Sequence, residues 1–157
     1  MNWIERFLSH FQEDDRYDDL QPEHMQAFTD VMALAMTVDR HIAIEERETI
    51  TEILRQLPMG TFGSEHAVNQ GVRTAWDMLE ADEPTRLVYY KALSQKLQFK
   101  WLRYKAYEAA YRIIQSDEQI VPLESRLLEN LARAFDIPNE DVARVLQHLE
   151  VEHLTES

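Results

Sequence analysis

The chain has no cysteine, and its 157 residues include only three glycines and five prolines. Without cysteine there is no disulfide framework, no thiolate metal site and no cysteine nucleophile, which suits a reducing compartment. Average usage would place about eleven glycines in a chain of this length. With so few, the turn chemistry for many short strands is missing, which argues against a sandwich or a barrel. Cationic excess is missing too. Lys and Arg number 16 against 29 Asp and Glu, a net charge of −13, whereas a binder of the DNA backbone needs the opposite balance. Long apolar runs are also absent: the longest, Val31 to Met36, is six residues, far short of the ~20 that span a membrane. The opening MNWIERFLSHF has no basic region ahead of its apolar residues, which Glu5, Arg6, Ser9 and His10 interrupt, so it does not read as a secretory leader. A protein with no membrane span, residing in the cytoplasm, is expected.

Apolar residues make up 45% of the chain, enough for one core in a single domain of this length. Their spacing is helical nearly throughout. Trp3, Ile4, Phe7, Leu8 and Phe11 stripe a short first helix, and an acidic linker, QEDDRYDDLQ, follows. Residues 1–20 therefore read as a helix and linker ahead of a bundle over 22–153. Pro22 suits the first turn of a second helix carrying Ala27, Val31, Leu34 and Val38. A third places Ile50, Ile53, Leu54 and Leu57 on one face and stops at Pro58, and LPMGTFGS is a loop. A fourth holds Val68, Val72, Ala75, Trp76 and Leu79 in register, and a fifth runs from about Pro84 to Leu97. The seventh follows Pro122 with Leu127, Leu128, Leu131 and Phe135; Pro138 opens an eighth with Val142, Val145, Leu146 and Leu149.

The sixth helix, about Lys100 to Gln115, differs. Leu102, Ala106, Ala109 and Ile113 form one stripe, and Trp101, Tyr104, Tyr107 and Tyr111 another. At 100° per residue, apolar groups cover most of the circumference and leave a narrow polar edge with Lys105 and Arg112. Such a helix is expected at the centre of the fold. The architecture predicted is an all-α helical bundle of about seven or eight helices in one domain.

The chain also matches itself at an offset of 78 residues. Asp39-Arg-His-Ile42-Ala-Ile-Glu-Glu46 aligns with Asp117-Glu-Gln-Ile120-Val-Pro-Leu-Glu124, each copy between two apolar helices. The shared pattern, Asp-x-x-Ile-x-x-x-Glu, joins the end of one helix to the start of the next and suggests two helix-turn-helix halves in approximate symmetry. The acids have two readings. Asp can close the turn through its own backbone, and Glu124, third after the Pro122 start, can reach free N–H groups and the positive end of the helix dipole. Alternatively Asp39, Glu46, Asp117 and Glu124 supply hard oxygen ligands to a divalent cation, Ca²⁺ or Mg²⁺. The loop is not an EF-hand, because its twelfth positions hold Ile50 and Leu128 where that loop requires Glu.

On Asp39, Ile42 and Glu46, then Asp117, Ile120 and Glu124, the chain resembles the TerB-like family: the tellurite-resistance TerB proteins and the N-terminal domain of the membrane co-chaperone DjlA. The resemblance covers roughly residues 25 to 138. The family motif is Asp-Gly-x-Ile-x-x-x-Glu, twice, each time at the junction of two helices. Arg40 and Glu118 stand here where the family has glycine. The resemblance implies an all-α domain, an association with stress or tellurite resistance, and paired acids that act as divalent-metal or interaction residues.

Other constellations point to less. From Arg86 to Arg112 there are seven basic residues and one acid, Glu108, a net +6 that leaves −19 elsewhere. Interleaved aromatics (Tyr89, Tyr90, Phe99, Trp101, Tyr104) give this segment a superficial likeness to a nucleic-acid surface, which the overall charge argues against. Basic helices facing acidic ones, with aromatics in the core, explain it better, as does an anionic protein partner or a second copy. Glu150-x-x-His153 lacks the second pair that a di-iron site needs, and His41 stands alone beside Asp39. No phosphate loop, dinucleotide fingerprint or nucleophile elbow is present. The expectation is a non-catalytic module that binds a divalent cation or a protein partner through its paired acids. The alternative is an adaptor whose acids only cap helices and whose contact surface is the basic aromatic segment or the first helix.

Overall fold

The computed structural model describes residues 20–38, 64–115 and 122–144. Among the described residues there are six helices and no strand: α1 Pro22–Thr37, α2 Ser64–Glu80, α3 Glu83–Leu97, α4 Lys100–Gln115, α5 Pro122–Ala134, and α6 over 139–144. They are the second and the fourth to eighth helices that the periodicity predicts. The predicted first and third helices, the acidic linker and most of the LPMGTFGS loop lie outside the described residues.

Local chemistry sets the ends of these helices. Pro22 and Pro122 open α1 and α5, where a missing N–H costs nothing. Asp82 caps α3: its side chain accepts a bond from the Thr85 N–H at 2.9 Å, and the two Thr85 hydrogen bonds hold its carboxyl below the usual carboxylate range. α3 ends at Gln98 in a left-handed conformation, φ 67°.

Among the described residues the more deeply buried helix is α1 rather than α4, which the sequence places at the centre. Twelve of its sixteen residues are buried, and it packs on α2, α3 and α4 at once. The physical reason is size and charge. Ala27, Ala33 and Ala35 let neighbours approach, and Glu23 and Asp30 are its only acids, with no Lys or Arg. On α2, Ala67, Gly71 and Ala75 recur every four residues and are all buried, a small-residue ridge where the two helices meet closely. α4 packs against α1, α5 and α3, and none of its residues from 101 to 114 is exposed. α5 completes the bundle against α3 and α4. Phe28, Met32, Leu93, Leu97, Leu102, Ile114 and Phe135 are the largest fully buried side chains, each contributing roughly 1.5–3 kcal/mol by leaving water. Phe135 lies just past the end of α5 and is still wholly buried. Trp76, expected in the apolar register of its helix, is instead 37% exposed, because Ala67, Val68, Val72 and Ala75 already fill the inward face. No helix among the described residues is long and apolar enough to cross a membrane.

Candidate functional site

Of the four acids predicted at the two junctions, Glu124 is described; Asp39, Glu46 and Asp117 lie outside the described residues, as do Ile42 and Ile120. Glu124 is the third residue of α5, as its distance from Pro122 predicts. It is 2% exposed. A carboxylate so deep requires compensation, and Glu124 is partnered. Among the described residues no group of three or more His, Asp and Glu is close enough to hold a metal ion.

The neighbouring α4 departs from its predicted polar edge. Arg112 is 3% exposed rather than solvated. Its Nε and Nη2 donate to Glu108 Oε1 at 3.3 and 3.0 Å, one turn earlier, and Lys105 Nζ stands 3.9 Å from Glu108 Oε2. Pairing with Glu108 lets the guanidinium sit inside, which an expectation based on residue type alone could not include.

A second polar centre was not foreseen. Asp30, in mid-α1, lies between α2 and α3. Gln26 Nε2 donates to Asp30 Oδ1 at 2.8 Å and to the Ala67 carbonyl at 3.1 Å, tying α1 to α2. Burial pushes the Asp30 carboxyl up to about 6, against the opposing pull of the Gln26 hydrogen bond and the Lys96 charge. Tyr89 of α3 brings a buried hydroxyl with no hydrogen-bond partner, held far above the usual tyrosine range by burial and then by the Asp30 charge. The sequence signal was there: an acid directly before the longest apolar run.

His24 closes the other end of this layer. Its Nδ1 accepts from the Gln21 N–H at 2.9 Å, which leaves Nε2 to donate to Gln98 Oε1 at 2.9 Å. One buried imidazole thus fastens the start of α1 to the end of α3 and anchors the left-handed Gln98. Across α4, Tyr104 Oη donates to Asp141 Oδ2 at 2.6 Å and attaches α6; that bond raises the Tyr104 pKa. The aromatics of the basic segment form no open stacking platform: Tyr90 is buried, and Tyr89, Phe99, Trp101 and Tyr104 pack on the core.

The family model of the tellurite resistance protein TerB matches residues 25–147. No curated protein and no solved structure matches the chain. The matched span takes in both Asp-x-x-Ile-x-x-x-Glu junctions, α1 from Met25 onward and the other five described helices, more than three quarters of the sequence, and on that ground the chain belongs to the TerB family.

Proposed function

We propose that this chain is a non-catalytic module associated with tellurite resistance, and that its two helix junctions form the working site, which binds a divalent cation or a partner protein. Family membership supports the association. The observation that carries the site reading is the burial of Glu124. An acid that merely complements a helix dipole gains 0.3–1 kcal/mol at the surface, whereas a buried carboxylate pays a larger desolvation cost. Such a cost is reasonable for a group that serves as a ligand or a specific contact. Four carboxylates, Asp39, Glu46, Asp117 and Glu124, are hard oxygen donors of the kind Ca²⁺ and Mg²⁺ take, and none is a soft ligand. These residues would hold the ion, which would supply charge neutralisation at the junctions.

The second reading is the adaptor whose acids only cap helix ends, favoured by the solvent-facing Lys91, Lys96 and Lys100 of the basic segment. Calorimetric titration of metal-free protein with Ca²⁺, Mg²⁺ and Zn²⁺, beside the Asp39→Ala/Asp117→Ala variant, separates the two. Saturable binding lost in the variant supports the cation site. No heat up to millimolar cation leaves the acids as helix-end structure and the protein partner as the function.

A further inference from the structure

α2 and α3 are separated by Ala81 and Asp82 alone, yet they barely touch one another; each leans on α1. Both outer faces are therefore open. On α2, Arg73, Trp76, Asp77 and Glu80 recur at three- and four-residue spacing and are all exposed. On α3, Pro84, Leu87, Val88, Lys91 and Gln95 form the matching stripe, also exposed. Leu87 is 43% and Val88 71% exposed, although Tyr90, Leu93 and Leu97 already give α3 a buried face. Single apolar residues on a surface need no account, but a second apolar face on one helix does.

Toward their C-terminal ends the two stripes carry opposite charge, Asp77 and Glu80 on α2 and Lys91 on α3. From Pro84 to Tyr107 the chain has no acid, and among the described residues Lys91 makes no ion pair. Asp77 and Glu80 are likewise without an ion pair among the described residues. The spacing matches as well: Glu80 follows Trp76 by four residues, and Lys91 follows Leu87 by four.

We propose that the α2–α3 corner is a homodimer contact, in which the Trp76/Glu80 stripe of one copy meets the Leu87/Lys91 stripe of a second, and the reverse, about a two-fold axis. With the two stripes parallel, Trp76 lies on Leu87, Asp77 and Glu80 come to Val88 and Lys91, and Arg73 falls beside Glu83 and Pro84. Each copy owns one acidic and one basic stripe, so a closed pair satisfies both, which is the property of an isologous interface. The contact uses none of the junction acids and stands independently of them.

Sedimentation velocity of the full chain from low to high micromolar concentration tests this. The expected result is a dimer whose dissociation constant rises roughly tenfold in Lys91→Glu and in Glu80→Lys. It returns toward the wild-type value in the Lys91→Glu/Glu80→Lys double variant, where each reversed charge meets a reversed partner. Both positions of substitution are at the surface, and circular dichroism checks that helicity is unchanged. A chain that stays monomeric throughout overturns the proposal. So does a dimer indifferent to both reversals, or a double variant as weak as the two losses added.

Discussion

A Cβ placed on Gly71 would lie 3.0 Å from Asp30 Oδ1 and 3.2 Å from Ala33 Cβ. Gly71 thus lets α2 come close to α1 and, in the same contact, covers the half-buried acid in the middle of α1. Packing and electrostatics meet at this point. The ridge of Ala67, Gly71 and Ala75 keeps water away from Asp30, and Gln26 spans the seam above it.

Gly71→Ala sets two effects against each other. Alanine is the better helix former by about 1 kcal/mol, while forcing a methyl into a closed seam typically costs about 1–3 kcal/mol. The Asp30 carboxylate can swing aside only by straining its Gln26 bond, and Ala33 Cβ, fixed to its helix, cannot move without α1. The overlap should therefore win, with a net loss of about 1 kcal/mol in urea denaturation and a larger loss for Gly71→Val. A more stable Gly71→Ala would mean that the seam opens freely.

Asp30 makes stability depend on pH. Its folded carboxyl titrates at about 6, above its ordinary value of 3.8, so the folded chain holds a proton that the unfolded chain has released. That contribution is fully present below about pH 4 and is lost as pH rises through 6. Facing Asp30 are Lys96 and Tyr89 from α3, and Gly71 with the Gln26-bonded Ala67 carbonyl from α2. Asp30→Asn keeps an acceptor for Gln26 and removes the charge. It should match the wild type near pH 4 and exceed it by about 2 kcal/mol near pH 7.5, allowing for partial solvent screening. A difference that stays constant across that range would place the ionisation of Asp30 elsewhere.

Much of the fold was legible because helices write their period into the sequence. The stripe Ala27, Val31, Leu34 and Val38 and the proline at position 22 located α1, and all four apolar residues are buried. The order of depth was not legible. The sixth helix looked central because apolar groups cover most of its circumference, yet among the described residues α1 is the more deeply buried, with twelve of its sixteen residues inside. Arg112 was misjudged and Asp30 passed over for one reason: a charged residue is counted as solvated until its partner is known, and Glu108 and Gln26 become partners only once a helix has formed. Glu124 was found from both its motif and its distance from Pro122, but the motif carried no information on depth.

The depth of Glu124 gives a sharper test than its position. Glu124→Gln preserves volume and hydrogen-bonding capacity and removes the charge a cation requires. If the junctions bind a cation, thermal denaturation of the wild type should shift upward with added Ca²⁺ or Mg²⁺. Ligand at a hundred times its dissociation constant stabilises by about 2.7 kcal/mol. That shift should vanish in Glu124→Gln and persist in Glu129→Gln, an exposed acid on the same helix. A shift surviving in Glu124→Gln would remove this residue from the site. If neither variant nor wild type responds, and Glu124→Gln loses no more than the 0.3–1 kcal/mol of a helix-end charge, then the carboxylate serves only the start of α5.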